Sequence, residues 1–210
     1  MLKKEYQLLV PLITKPWKKF TFKDIQMLCK KTSKSYVFTI LKKMVQEKII
    51  LEEKVGNLLL YRLNHSHLKA QVYAGVIAEH IAWNKTNLPY PILQKAADKI
   101  PTPFYVMIVT GSYAKNAQKE TSDIDVVLII DDSQETKRVY AQLRSICELS
   151  IPEIHLYVFK RSEFLEMLLN KEANYGKEIA QNNLLLHGAE TYYQMMNEAM
   201  EHGFNGQGLS

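Results

Sequence analysis

A glycine-serine pair and two alternating aspartates are the residues of this sequence best suited to chemistry. Gly111-Ser112 is followed, after ten residues, by Asp123-x-Asp125. Glycine lets the backbone approach a phosphate group closely, and the serine hydroxyl and neighbouring amides can donate hydrogen bonds to its oxygens. Paired carboxylates can hold hard divalent cations that neutralise phosphate charge, and Lys115 could add positive charge. This spacing predicts a site for a metal-bound ligand that contains phosphate.

Two predicted strands would hold these residues in place. Residues 104–109 and 126–130 are short β-rich apolar runs, one on each side of the motif. Because alternate strand residues point to the same face, Asp123 and Asp125 would lie side by side, about 6–7 Å apart. Two Mg²⁺ ions about 4 Å apart could then stabilise the attacking and leaving oxygens of an in-line displacement.

The motif resembles the signature of the polymerase beta type nucleotidyltransferase superfamily, particularly its minimal nucleotidyltransferases of bacteria and archaea. The likeness covers roughly residues 88–200. It implies an α+β fold with a small mixed sheet, in which Gly111 and Ser112 bind an NTP while Asp123 and Asp125 bind Mg²⁺. The implied reaction moves a nucleoside monophosphate to an acceptor hydroxyl. The sequence specifies neither the base nor the acceptor.

The third catalytic carboxylate of that family has two competing positions here. It belongs on the predicted strand at residues 154–159, where Glu153 and His155 share a face. Counting back from Glu163 favours His155 for the family position. A neutral histidine can accept a proton but is a poor Mg²⁺ ligand, so activity would be weak or lost if His155 replaces the carboxylate. Both Glu153 and His155 therefore stay as candidates.

The first 65 residues are strongly basic, with 14 Lys and Arg against 5 Asp and Glu, whereas the remainder has 13 against 17. Helical periodicity, N-cap candidates at Thr21 and Ser33, and a turn at Gly56-Asn57 predict three helices and a hairpin. This order resembles a winged helix-turn-helix, which implies double-stranded DNA as a partner and a third helix in the major groove. A protein-docking or spacer role is the alternative. The implied DNA contacts are Lys34, Ser35, Tyr36, Thr39, Lys42, Lys43, Lys54 and Arg62.

The chain is predicted to be a cytoplasmic protein with two domains. No apolar run approaches the roughly 20 residues that cross a bilayer. The predicted divisions are a winged helix at 1–65, a linker helix at 66–87, a nucleotidyltransferase domain with C-terminal helices at 88–203, and a flexible tail at 204–210.

Other expectations concern partners and histidines. The rival functions are a DNA-binding regulator with a degenerate, nucleotide-sensing domain, and an antitoxin-like module that modifies a protein acceptor or toxin partner. A homodimer could form through the helix that contains Tyr192 and Met196. His65 and His67, with no cysteine or carboxylate cluster nearby, are expected to be solvated. The pair His187-Gly188 is expected to form a turn between C-terminal helices.

Overall fold

The computed structural model of the protein describes residues 3–207 of the 210-residue chain. Within these residues the fold is α+β, as predicted, with two separate sheets. In chain order the elements are a 3₁₀ helix (Lys4–Leu9), α1 (Val10–Thr14), β1 (Phe20–Thr21), α2 (Phe22–Leu28), α3 (Lys34–Gln46), β2 (Ile50–Val55), β3 (Leu58–Leu63), α4 (Leu68–Trp83), α5 (Tyr90–Ala97), β4 (Tyr105–Val109), α6 (Gly111–Ala114), β5 (Ile124–Ile130), α7 (Thr136–Glu148), β6 (Ile154–Lys160), α8 (Arg161–Leu169), α9 (Tyr175–Gln181), β7 (Leu184–His187) and α10 (Ala189–Glu201).

Local hydrogen bonds explain where the N-terminal helices begin. The Thr21 hydroxyl accepts from the backbone N–H of Asp24 at 3.1 Å, and the Asp24 carboxylate accepts from the backbone N–H of Thr21 at 2.9 Å, which forms a capping box at α2. Ser33 caps α3 by accepting from the backbone N–H of Tyr36. Both predicted N-caps are therefore confirmed. The strands β2 and β3 form a hairpin around Gly56, and β1 completes an antiparallel sheet in the order β1-β3-β2.

The second sheet has the order β6-β5-β4-β7. The central pair β4–β5 is antiparallel, β7 pairs antiparallel with β4, and β6 pairs parallel with β5. Because both faces of β4 and β5 are buried, these strands are continuous apolar runs rather than alternating ones. Val106, Ile108, Val127 and Ile129 belong to one core cluster, while Met107, Val109, Val126 and Leu128 belong to a second cluster on the other face.

The N-terminal helices share a core with the larger sheet. Leu12 of α1 lies in the same buried cluster as Tyr192 and Tyr193 of α10. The Tyr193 hydroxyl donates to the Ile13 carbonyl at 3.0 Å, across 180 residues of sequence. The N-terminal third is therefore packed against the rest of the chain rather than separated from it.

The segment predicted as a linker helix is part of this core. Helix α4 buries mainly small residues, and a Cβ added to Gly75 would lie only 3.0 Å from the backbone nitrogen of Glu190 in α10. Small residues on this face permit the close approach of α10. The apolar pattern in this segment predicts a buried helical face made of Leu68, Val72, Val76, Ile77 and Ile81. In the structure only Ile77 of these five residues is buried.

The structure differs from three further predictions, which concern His65, His187 and the C-terminal tail. His65 is only 4% exposed and its Nε2 atom lies 3.0 Å from the Pro16 carbonyl oxygen, so the prediction of a solvated histidine was wrong for it. His187 ends a strand, β7, rather than lying in a turn between helices. Phe204, the first residue of the predicted flexible tail, is buried with its ring 5.4 Å from that of Trp17. Residues 208–210 of that tail lie outside the described residues.

None of the helices within residues 3–207 combines the length and the apolar character that a membrane crossing requires.

Candidate active site

The turn after β4 is pressed against the carboxylate of Asp125. Gly111 has a φ of +64°, and a Cβ added there would lie 2.0 Å from Asp125 Oδ2. The Thr110 N–H donates to the Asp125 carbonyl at 3.0 Å, which fixes the turn against the start of β5. Only glycine combines the left-handed backbone with the absence of a side chain, so this close approach explains the glycine of the motif. Ser112 follows it within the short helix α6.

Asp123 and Asp125 meet a histidine from the neighbouring strand. The parallel register of β5 and β6 places Asp125 opposite His155. The imidazole Nε2 lies 3.5 Å from Asp123 Oδ2, and Nδ1 lies 3.8 Å from Asp125 Oδ1. Asp125 is the less exposed of the two carboxylates, with 28% of its side chain exposed against 46% for Asp123. The structure thus assembles two carboxylates and one imidazole at one end of the sheet.

Residues 93–186 match the family model of the nucleotidyltransferase domain. This segment contains the Gly111 turn, both aspartates and His155, so the predicted superfamily is supported for this part of the chain. No curated protein matches the chain. A solved structure described as "Crystal structure of the toxin-antitoxin with AMP-PNP" aligns at 13% identity, over 54% of this chain and 87% of its own, with a TM-score of 0.39.

Glu153 and His155 occupy different positions within the matched segment, residues 93–186. Glu153 precedes β6, and its backbone carbonyl accepts from the Ile124 N–H at 2.9 Å. Glu153 is exposed, and its side chain forms no hydrogen bond or ion pair within residues 3–207. His155, by contrast, contacts both aspartates. The contacts of the aspartate pair therefore involve His155 and not Glu153.

A third carboxylate reaches the site from α9, a helix that was not predicted to contribute to it. Glu178 of α9 accepts from Lys115 Nζ at 2.8 Å. Burial raises the pKa of the Asp125 carboxyl, and the negative charges of Glu178 and Asp123 raise it further. His155 and Lys115 act in the opposite direction. Two charged residues thus act on Asp125: Lys115, which was predicted to bind the nucleotide, and Glu178, which was not predicted.

Two tyrosines line the same side of the site. Tyr157 follows His155 by two positions on β6, so both side chains point to one face of the sheet. Its ring centroid lies 4.8 Å from that of Tyr175, the first residue of α9. Burial raises the pKa of the Tyr175 hydroxyl, and the charges of Asp125 and Glu178 raise it further. The Tyr175 phenol therefore remains neutral near neutral pH, and the two rings form a partly apolar wall beside the carboxylates.

The donor set suits Mg²⁺ only with help from a ligand. Within residues 3–207 no group of three His, Cys, Asp or Glu side chains is arranged to hold a metal ion. Mg²⁺ is commonly held by one or two carboxylates together with substrate phosphates and water. Asp123 and Asp125, whose carboxylates lie near the same imidazole, match that mode. The pair fits a cation that arrives with a triphosphate.

The predicted DNA-contacting residues lie on the surface of the N-terminal third. Those on α3 are all exposed, as is Lys54 on β2, while Arg62 on β3 is half-buried. Lys43 Nζ lies 3.3 Å from a carboxylate oxygen of Glu5. Lys42 lies over the ring of Phe38, at 4.7 Å from its centroid. Within residues 3–207, Lys34, Lys42 and Lys54 are exposed and form no ion pair.

Proposed function

We propose that the protein is a Mg²⁺-dependent nucleotidyltransferase that moves a nucleoside monophosphate from NTP to an acceptor hydroxyl, joined to a winged helix that binds DNA. The observation that carries the transferase part is the contact between the Gly111 turn and Asp125. This contact holds the backbone of the turn beside the Asp125 carboxylate, and Asp123 and Asp125 both lie within 4 Å of the same imidazole. A phosphate bound by the turn would therefore lie next to both carboxylates. NTP and DNA are both found in the cytoplasm, which we propose as the location.

Each residue of the site has a separate task in this proposal. The Gly111 backbone and the Ser112 hydroxyl would bind the triphosphate, and Lys115 would exchange Glu178 for a phosphate oxygen. Asp123 and Asp125 would hold Mg²⁺, which supplies charge neutralisation at the transferred phosphate when bound. The tyrosine wall would exclude water from one side of the site and so favour an alcohol over hydrolysis.

His155 is our candidate for accepting the proton of the attacking hydroxyl. It lies within 4 Å of both aspartates, where an acceptor aligned with the phosphate would be placed, whereas Glu153 lies at the strand entrance. General base catalysis contributes roughly 10² to 10⁴ in rate. His155→Ala should therefore lower turnover by at least roughly tenfold more than Glu153→Gln does. The reverse order would assign the proton transfer to Glu153.

The direct test is label transfer by the purified full chain. The chain would be incubated with Mg²⁺ and each common NTP labelled at the α-phosphate, with itself, other proteins, RNA and small alcohols as acceptors. We expect label in one acceptor class and equimolar pyrophosphate. Asp125→Asn should abolish both, while Asp98→Asn, an exposed acid at the end of α5, should leave them unchanged. A labelled protein acceptor would support the antitoxin-like alternative.

A nucleotide sensor is the second candidate, and His155 is the observation that favours it. An imidazole opposite Asp125 is a poor Mg²⁺ ligand, so binding without transfer is the expected behaviour of a degenerate site. Mg²⁺ with NTP would then stabilise the folded state by mass action. At a ligand concentration a hundredfold above Kd, the unfolding free energy should rise by about 2.7 kcal/mol, and the melting temperature should rise with it. Stabilisation without label transfer, including in a His155→Asp variant, would decide for the sensor.

The DNA-binding part of the proposal is supported by charge and by the order of elements. Helices α2 and α3 are followed directly by the β2–β3 hairpin, and the lysines of α3 are exposed. The excess of positive charge in residues 1–65 is the expected feature of a surface that releases counterions from DNA. A steep loss of affinity for duplex DNA with rising salt would be the sign of this contact, and binding indifferent to salt would contradict it.

A further inference from the structure

Helix α9 lies across the end of the sheet at which the aspartates are found. At its first residue, the Tyr175 ring centroid is 4.8 Å from that of Tyr157 on β6. Just beyond its last residue, the Asn182 carbonyl accepts from the Thr110 hydroxyl at 2.7 Å, and Thr110 directly follows β4. Because β5 lies between β6 and β4, the middle of α9 passes over the strand that carries Asp125.

Glu178, in the middle of α9, lies on the same side of the sheet as the Asp125 carboxylate. Strand alternation places the side chains of Asp125 and Val127 on one face. Val127 belongs to the buried cluster that also contains Ile179 of α9, so this is the face on which the helix packs. The negative charge of Glu178 is accordingly one of the causes that raise the pKa of Asp125. The Glu178 carboxylate therefore lies near the aspartate pair.

The backbone of α9 is fixed in this position by contacts with α8. Asn174 accepts from the Lys177 N–H at 3.1 Å and donates to the Met167 carbonyl at 2.7 Å, which caps the helix and bonds it to α8. A Cβ added to Gly176 would lie 2.5 Å from Met167 Cβ, so the two helices are in close contact. Because the helix is fixed, Glu178 can change its partner only by rotation of its own side chain.

The partner of Glu178 in the structure is Lys115, at 2.8 Å from the nitrogen to the carboxylate oxygen. The two side chains are 43% and 46% exposed, and ion pairs this exposed contribute little to stability, so they are easily exchanged. Within residues 3–207 this is the only hydrogen bond or ion pair of the Glu178 side chain. Once a triphosphate attracts Lys115, Glu178 is therefore left as an unpaired carboxylate beside Asp125.

We propose that Glu178 is a further ligand of the cation, which Lys115 keeps paired until a triphosphate binds. The inference rests on the proposed function, since it requires both Mg²⁺ and NTP at this site. Glu178 would supply the oxygen ligand that His155 does not supply from β6, because Mg²⁺ prefers carboxylate oxygen to imidazole nitrogen. Nucleotide binding then releases the acid that helps to hold the cation, so each ligand should increase the affinity for the other.

The first test compares nucleotide affinity with and without Mg²⁺. The α,β-methylene analogues of the common NTPs, which cannot transfer their nucleotidyl group, would be titrated into the full chain by calorimetry. Without Mg²⁺, Glu178→Gln should bind the analogue severalfold more tightly, because the repelling charge and the competitor for Lys115 are both removed. The factor by which saturating Mg²⁺ tightens analogue binding should, in contrast, fall at least roughly tenfold. A merely structural role of Glu178 would weaken binding in both conditions.

Glu172→Gln is the matched control for this test. Glu172 is exposed shortly before α9, and its side chain forms no hydrogen bond or ion pair within residues 3–207, so both affinities should stay unchanged. An unchanged Mg²⁺ factor in Glu178→Gln would overturn the inference while the proposed function stands. A wild-type chain that binds no analogue, with or without Mg²⁺, would remove the proposed function and this inference together.

The second test measures cation binding without nucleotide. Mn²⁺, which suits the same oxygen ligands as Mg²⁺, would be titrated into the full chain while electron paramagnetic resonance follows the free ion. Lys115→Met should raise the affinity for Mn²⁺ severalfold because it frees Glu178, and the double variant Lys115→Met/Glu178→Gln should lose this gain. Lys119→Met removes the same charge from an exposed residue of the following loop and should change the affinity little. A gain that persists in the double variant would contradict the role of Glu178.

Discussion

The basic N-terminal third and the sheet that carries the aspartates share one core but use charge differently. In the N-terminal third, charges are spread over exposed helix and hairpin surfaces, and single pairs such as Lys19–Glu53 at 2.6 Å are open to solvent on both sides. In the sheet, Asp125 is half-buried, contacts His155 and touches the Gly111 turn. Each dispersed surface charge should contribute little by itself to a binding energy that depends on the sum of many charges. The Asp125 carboxylate is held in one position, so the displacement of a single atom there should have a large effect on the reaction rate.

The largest expected effect comes from a methyl group at Gly111. Gly111→Ala would place a Cβ 2.0 Å from Asp125 Oδ2 in a left-handed backbone, so the carboxylate must move. We expect the rate of nucleotidyl transfer to fall by at least roughly a hundredfold, the effect of about 1 Å of misplacement at a reacting centre. Initial rates of label transfer from NTP measure it.

Gly56 provides the matched control for that variant. It has nearly the same φ, +59°, but a Cβ added there meets nothing within 4 Å. Gly56→Ala should therefore destabilise the hairpin by about 1–2 kcal/mol through the left-handed backbone alone and leave the transfer rate unchanged. Equal rates for the two variants would show that the Gly111 contact has no role in the chemistry.

The chemistry-bearing motif could be predicted because it is local. Alternation along the chain puts Asp123 and Asp125 on one face, and the Gly111 turn follows β4, the strand that pairs with β5. Only the pairing of two consecutive strands was therefore needed to place them together. Thr21 and Ser33 were predictable for the same reason, since an N-cap bond spans only three residues.

The parts that sequence reasoning missed depend on contacts between distant segments. Glu178 is 53 residues from Asp125, and α9 is attached there by a bond from the Thr110 hydroxyl to the Asn182 carbonyl. The buried face of helix α4 was predicted wrongly for a different reason. Aliphatic residues such as Val76 are the usual sign of a buried face, but Gly75 and its small neighbours allow closer packing against α10. His65 is buried through Pro16, 49 positions away.

His65 should be the exception among the polar groups of the N-terminal third, because it is buried and fixed. Burial lowers its pKa from 6.5 to about 4. The folded state therefore holds the neutral imidazole while the unfolded chain takes up a proton below pH 6.5. The stabilisation is complete above pH 6.5 and is lost as the pH falls toward 4, by up to about 3 kcal/mol.

Urea unfolding at pH 7 and pH 4.5 measures this loss. His65→Gln should flatten the dependence of unfolding free energy on pH, whereas His202→Gln, at an exposed position after α10, should keep it. Identical pH dependence in wild type and His65→Gln would mean that His65 is protonated alike in both states.

A smaller effect is expected at the start of α3. Ser33→Ala removes the acceptor for the Tyr36 N–H, now at 3.2 Å, and should lower the unfolding free energy by about 1 kcal/mol. Ser35→Ala is the control, because its side chain makes no hydrogen bond within residues 3–207. Thermal melting distinguishes the two, and a Ser35→Ala variant that melts as low as Ser33→Ala would remove the capping explanation.

The smallest effect should follow from deleting one spread charge. Lys42 is exposed on α3 and lies over the Phe38 ring without an ion pair in the described part of the chain. If the N-terminal third binds duplex DNA through phosphates, Lys42→Ala should reduce the slope of log affinity against log salt by about one and weaken binding severalfold for any sequence. Lys95→Ala, an exposed lysine on α5, removes the same charge from the other region and should leave the slope unchanged. An equal reduction by both variants would mean that DNA senses only net charge, and the distinction between the two regions would fail. A slope that neither variant changes would place the DNA contact outside α3.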